Sequence, residues 1–202
     1  MNRKEIRRQS VHFSGVLTAI LAYYLGGFIV GLGALTLSMG ILILSLWVER
    51  KEKIRNKMPF RVKLFEEIED TFYKKLNDFE REEDLKERPY NGAFTFFLSI
   101  GTVFLVFPFQ AAVIATLVLS VSDSLSTLVG VHYGKNSLPY NENKSWQGSI
   151  TFLISSFLIS AYFLSPLMSV LVAIVGTLIE SWPKINDNIS VPLTVALLIT
   201  LL

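Results

Sequence analysis

The chain has 202 residues, of which 51% are hydrophobic and 18% charged, with a formal net charge of +2, and its mean hydropathy is +0.46. A balance this apolar over the full length excludes an ordinary water-soluble domain and points to a polytopic membrane protein. Cysteine is absent, which excludes disulfides and thiolate metal sites, and no nucleic-acid partner is expected.

Apolar runs fall at roughly 11–24, 28–48, 93–107, 111–131, 150–164, 167–179 and 191–202. The expected fold is all-α: a polytopic helical bundle with about seven transmembrane helices, six being the alternative, in a single membrane domain over 1–202. Several runs fall short of the ~20 residues that a perpendicular helix needs. Some must recruit flanking turns, thin the bilayer or cross only in part.

In chain order, the basic start runs into the first apolar stretch without a small-residue cleavage site, so no cleavable signal is expected. Arg8, His12, Gly15 and Ala19 share one face of the first helix. Arg8 and His12, one turn apart, can address a phosphate and a hydroxyl together. A lone interfacial histidine serves equally as a satisfied structural residue, and His132, without such company, reads that way. Residues 49–90 form a cytoplasmic insertion between spans two and three. Within it Phe60, Leu64, Ile68, Phe72, Leu76 and Phe79 follow helical spacing, predicting an amphipathic helix after Pro59 that lies on the surface or closes as a lid. Its basic first part suits anionic headgroups.

Asp123 is the most informative residue. It lies in the apolar run 111–131, and a carboxylate inside a membrane span is a functional-site hypothesis by default. Thr116, Ser120, Asp123, Ser124, Thr127 and Gly130 recur at three- and four-residue steps, so a regular helix carries them on one polar, small-residue face that must look into protein or a wet cavity.

Downstream, Gly130-Val131-His132-Tyr133-Gly134-Lys135 and Asn143-Lys144-Ser145-Trp146-Gln147-Gly148-Ser149 place lysines beside glycines and hydroxyls. That combination suits phosphate, because backbone amides can approach closely while ammonium groups offset charge. It is not a Walker loop: the glycine spacing is one residue short, and Asn136 stands where Ser or Thr would hold magnesium. The same lysines serve equally as membrane-topology anchors. Further on, Ala173, Gly176, Thr177 and Glu180 share a helical face, and Asp187 comes after a proline-broken turn. Asp123, Glu180 and Asp187 can then meet at one depth, a hard oxygen set that suits magnesium carried with a nucleotide. Glu180 and Asp187 read equally as solvated loop acids.

Charge sets the expected topology. With seven spans, every Lys and Arg, and every acid except Asp123, falls on one side, while the opposite turns are short and uncharged. The positive-inside rule makes the charged side cytoplasmic.

The set Arg8-x3-His12-x2-Gly15, Ser122-Asp123-x2-Ser126-x3-Gly130-x3-Gly134-Lys135, Asn143-Lys144-Ser145-x2-Gly148-Ser149, Glu180-Ser181 and Asp187-Asn188-x2-Val191-Pro192-Leu193 resembles the CTP-dependent lipid-alcohol kinases. That family includes dolichol, phytol and CTP-dependent diacylglycerol kinases and is distantly related to phosphatidate cytidylyltransferase. The resemblance covers the first helix and nearly all of 120–193. Gln9 stands where the family often has Lys, and Asn186 where an acid often precedes the Asp-Asn pair.

The resemblance implies an integral membrane enzyme that transfers a phosphoryl group from CTP to a polyprenol, dolichol or phytol-like alcohol at the cytoplasmic face. It implies Asp123 and Asp187, supported by Glu180, as magnesium ligands. Arg8, Lys135, Lys144, Ser145, Gly148 and Ser149 would take the nucleotide, and His12 or Asp123 would orient or deprotonate the hydroxyl, with Asp187 completing the catalytic set. The same residues leave two competing functions open: cytidylyl transfer to a lipid phosphate, and a proton- or ion-coupled transporter using Asp123.

Overall fold

The computed structural model describes residues 3–55, 90–182 and 186–202; for residues 3–10 and 51–55 it describes the backbone alone. The segment expected to carry the amphipathic helix after Pro59 lies outside the described residues. Those described form an all-helical bundle with one small hairpin. In chain order the elements are α1 (Arg3–Leu25), α2 (Gly27–Arg55), α3 (Asn91–Val106), α4 (Phe109–Tyr133), β1 (Ser137–Leu138), β2 (Asn141–Ser145), α5 (Trp146–Ala161), α6 (Pro166–Glu180) and α7 (Asp187–Leu201).

Local chemistry sets the breaks. Gly26, at φ +90°, turns the chain between α1 and α2 in the left-handed region that glycine tolerates. Pro108 caps α4 and Pro166 opens α6, positions where the missing N–H has no intrahelical partner to lose. The side chain of Gln110 donates to the Phe163 carbonyl at 3.0 Å, joining the α3–α4 and α5–α6 turns.

Phe96, Ile100, Ile114, Phe152, Val172 and Val195 are fully buried at the centre. The interior also holds Ser38, Ser99, Thr116, Ser156, Ser160 and Ser169, and small hydroxyl residues of this kind let membrane helices pack closely. Leu17, Phe28, Ile43, Leu158, Leu167 and Leu178 point outward and are exposed. A bundle with polar groups inside and large apolar groups outside is matched to lipid rather than to water.

The seven apolar runs each coincide with a helix, but their lengths differ. Among the described residues, 27–50 and 109–133 are long and apolar enough to cross a bilayer. Helices α3, α5, α6 and α7 have 15 or 16 residues, about 22–24 Å at the α-helical rise, against a hydrocarbon core of ~30 Å.

The polar face expected on α4 is not carried by a regular helix. Residues Val118–Ser122 form a π-helical turn directly before Asp123, which inserts one residue into the register and rotates the second half of the helix. As a result Ser122 and Ser126 are buried beside Asp123 and Ser124, while Thr127 and Gly130 drift to the edge of the buried face. Single π turns of this kind concentrate at functional sites.

Candidate active site

Five segments converge at one end of the bundle: the second half of α4, the hairpin, the first turn of α5, the last turn of α6 and the first turn of α7. Asp123 and Glu180 are buried and Asp187 is partly so, and one carboxylate oxygen from each lies within 4.8 Å of the others. Glu180 reaches this point because Ala173 and Gly176 let α6 pack tightly; a Cβ on Gly176 would lie 3.2 Å from the Phe152 ring. Asp187 is held by its position at the head of α7. Asn186, the helix cap, accepts from the Asn188 amide at 3.1 Å, and Asp187 Oδ1 accepts from the same amide at 3.0 Å. The Asn188 side chain donates to the Gly92 carbonyl and to Thr95 Oγ1, both at 3.3 Å, which pins α7 to α3. Asn186, the departure noted from the kinase pattern, thus has a definite capping role.

Lys144 extends from β2 into the carboxylates, with Nζ 2.5 Å from Glu180 Oε1 and 3.0 Å from Asp187 Oδ2. Burial works to lower its pKa, but Asp187, Glu180 and Asp123 together outweigh it, and the ammonium is held above the usual lysine range. The hairpin that carries Lys144 is fastened at its other end. Asn141 Nδ2 donates to the Ser181 carbonyl at 2.8 Å, and the Tyr140 hydroxyl meets Ser181 Oγ at 3.0 Å.

Glycine makes the next contact possible. Ser145 Oγ accepts the Gly148 amide at 3.2 Å and caps α5. A Cβ on Gly134 would stand 2.8 Å from that hydroxyl, and one on Gly148 would stand 2.9 Å from the Ser126 carbonyl. The ends of α4 and α5 can therefore approach only without side chains there.

Between these elements lies a cavity of about 440 Å³ whose lining includes Ser126, Lys135, Lys144, Ser145, Gly148, Ser149 and Glu180. All five residues assigned to phosphate from the loops after α4, Lys135, Lys144, Ser145, Gly148 and Ser149, face this one space. His12 sits elsewhere: buried on α1, with Nδ1 3.5 Å from Asp123 Oδ2 and its ring tilted against that of Phe96, centroids 4.8 Å apart, it addresses Asp123 rather than the cavity. Arg8 is placed on α1 by its backbone, and its side chain lies outside the described residues. His132 is exposed and bonds the Leu128 carbonyl at 2.8 Å within its own helix, a structural role.

Sequence reasoning gives Ser126 no role, yet its Oγ lies 3.0 Å from the Asp123 carbonyl and 3.3 Å from Glu180 Oε1, on the cavity wall. Its spacing of three from Asp123 is the signal that could have found it. The Tyr140–Asn141–Ser181 clasp has none.

The donor set fits a hard divalent cation such as magnesium. All three acidic groups offer oxygen, and Glu180 Oε2 is buried with no hydrogen-bond partner among the described residues. An orphaned carboxylate oxygen in such a place is a donor atom that an ion could use.

Known proteins bear on this geometry. The chain is 37% identical to a probable chloroplastic phytol kinase 1 of Oryza sativa subsp. japonica, over 42% of this chain and 33% of that protein. It is 36% identical to the chloroplastic phytol kinase 1 of Arabidopsis thaliana, over 37% and 31%, and 36% identical to the chloroplastic farnesol kinase of the same plant, over 45% and 34%. The resemblance to lipid-alcohol kinases holds. The chain spans about a third of the length of these relatives. No family model and no solved structure matches it. Nothing in these relatives' names points to cytidylyl transfer.

Proposed function

We propose that the protein is a lipid-alcohol kinase that transfers the terminal phosphoryl group of CTP to a prenol-type alcohol. In this reading all seven helices cross or enter the bilayer, and the end that bears the hairpin faces the cytoplasm. A single observation carries the proposal: the Asp123–Glu180–Asp187 cluster opens through Glu180 and Lys144 onto a lysine- and glycine-lined cavity, in a chain similar to phytol and farnesol kinases.

Phosphoryl transfer is mostly positioning and charge neutralisation, and the residues divide accordingly. Lys135 and Lys144 offset phosphate charge, while the Ser145 and Ser149 hydroxyls and the closely packed Gly148 backbone border the triphosphate. Arg8, one turn from His12 in the sequence, is assigned to the same phosphates. Asp123, Glu180 and Asp187 would hold magnesium, which supplies charge stabilisation to the phosphates when bound. The alcohol lies with its tail among the helices and its hydroxyl near Asp123, where the His12–Asp123 pair orients it and accepts its proton as its oxygen bonds to the γ-phosphorus. The bond from that phosphorus to the bridging oxygen breaks, and CDP leaves. A single flexible tail, as in phytol, farnesol, polyprenol or dolichol, suits the narrow spaces between small-residue helix faces better than two acyl chains.

Purified protein supplied with each alcohol and with CTP labelled at either the α or the γ position tests the reading. Transfer of the γ label to phytol or farnesol is the expected result. Transfer of the α label to a lipid phosphate would establish cytidylyl transfer, and transfer of neither would leave the Asp123 transporter reading as the one to pursue. Higher turnover per KM with diacylglycerol than with any prenol would overturn the acceptor assignment.

A further inference from the structure

Lys144 stands where a metal would stand. We propose that its ammonium is the resident counter-ion of the Asp123–Glu180–Asp187 cluster and yields that place to a divalent cation only when a nucleotide triphosphate is there to receive it, so that metal and nucleotide bind as a linked pair. The inference rests on reading the cavity as the nucleotide site.

Its basis is competition for one volume. Nζ lies 2.5 Å from Glu180 Oε1 and 3.0 Å from Asp187 Oδ2, two of the three carboxylates whose oxygens gather within 4.8 Å. Magnesium in direct contact with carboxylate oxygens sits about 2.0–2.1 Å from each, so an ion shared by Glu180 and Asp187 overlaps the present ammonium. The cluster is not satisfied by Lys144 alone. Glu180 Oε2, buried and without a hydrogen-bond partner among the described residues, still offers a donor atom.

Lys144 also has somewhere to go. Its side chain is 24% exposed and lines the cavity beside Ser145 and Gly148, and a lysine stem is flexible enough to swing a point charge from carboxylates to phosphates. The exchange leaves no buried charge unpaired: the metal takes over the carboxylates while the triphosphate takes over the ammonium. Without nucleotide, displacing Lys144 would strip it of its partners, which penalises metal binding. With nucleotide that penalty disappears. Each ligand then raises the affinity for the other by the same factor.

Manganese binding, followed by electron paramagnetic resonance on the full chain in detergent, tests the exchange apart from turnover. The wild-type protein is expected to bind Mn²⁺ weakly alone, and a non-hydrolysable CTP analogue should tighten that binding by roughly tenfold or more. Lys144→Met removes the resident cation, so nucleotide-free Mn²⁺ affinity should rise by a similar factor and the effect of the analogue should shrink. Lys144→Gln is the second neutral variant, should Lys144→Met fail to fold by circular dichroism. Lys135→Met, which removes an ammonium that lines the cavity but makes no ion pair with the cluster, should keep the wild-type nucleotide-free affinity. Unchanged or weaker nucleotide-free Mn²⁺ binding in the neutral Lys144 variants would overturn the exchange while leaving the kinase reading intact. No Mn²⁺ binding by the wild type even with the analogue would overturn the metal site itself.

Discussion

Gly134→Ala probes the join between α4 and the hairpin, on which the placement of Lys144 depends. Gly134 succeeds α4 at φ −64° and ψ 112°, a conformation any residue can adopt, so its requirement is one of space. A Cβ there would collide with the Gly130 carbonyl oxygen and lie 2.8 Å from Ser145 Oγ and 2.9 Å from Ser145 Cβ. The carbonyl belongs to the helix backbone and cannot rotate away, so the strand carrying Ser145 must retreat. Overpacking of this kind costs about 1–3 kcal/mol, and loss of the Ser145 cap on α5 adds about 1 kcal/mol. Together these correspond to a fall in Tm of about 4–16 °C for a chain of this size. Because Lys144 adjoins Ser145, the same retreat should raise the KM for CTP. The assay is thermal unfolding in detergent together with CTP titration, with Gly33→Ala as control, since a Cβ at that helical position meets nothing within 4 Å and alanine there should be neutral or slightly stabilising. A Gly134→Ala protein with the Tm and KM of the control would refute the reasoning.

Further predictions concern the carboxylates and the cavity. Asp123→Asn keeps shape but removes charge from the cluster, so turnover should fall by about a thousandfold with folding retained; near-normal kcat in folded protein would remove the centre of the proposed site. Ser126→Ala deletes the hydroxyl 3.3 Å from Glu180 Oε1, and kcat/KM measured at saturating lipid should fall roughly ten- to a hundredfold, the worth of one hydrogen bond to a charged group. Lys135→Gln should raise the KM for CTP only roughly three- to tenfold, because this lysine is exposed and its contact with phosphate is screened; an unchanged KM would return Lys135 to the role of topology anchor. Lys144 has a folded-state pKa raised above the ordinary lysine value. The stability its ammonium contributes is therefore fully present below that ordinary value and is lost only as pH climbs through the higher folded one. The Tm difference between wild type and Lys144→Gln, measured from pH 7 to 9, should stay constant.

Residues are legible in a sequence where their chemistry leaves a local trace. Asp123 is conspicuous because a carboxylate breaks an apolar run, and the helices are visible because hydropathy marks them. The convergence of Glu180 and Asp187 is traceable to the close-packing face at Ala173 and Gly176 and to a turn short enough to return the chain. The hairpin leaves no such trace: Asn141–Ser145 reads Asn-Glu-Asn-Lys-Ser, without alternation or β-branched residues, and its order comes from a tie to Ser181, 40 residues away. Helix ends are read less well than helix positions for a related reason. Polar residues begin or end several helices, so the apolar run 167–179 lies wholly inside Pro166–Glu180 and the run that starts at 191 belongs to a helix that starts at Asp187.

The π-helical turn is equally silent, since no residue type encodes it, yet it decides the geometry around Asp123. A regular α4 would carry Thr116, Ser120, Asp123 and Thr127 in one stripe, with Ser122 turned aside. The extra residue in Val118–Ser122 shifts the register between the first half of α4 and the regular turn Asp123–Ser126, in which Ser126 reaches Glu180 and Asp123 faces His12. α1 comes close at the same level because Gly15 lies directly over Ser120, where an added Cβ would collide with the Ser120 hydroxyl. Asp123 thereby touches two different surroundings: a buried histidine toward the helix interior and a metal-suited cluster toward the cavity. In the proposed reaction, a carboxylate that served both the acceptor hydroxyl and a phosphate-bound ion would draw on both surroundings.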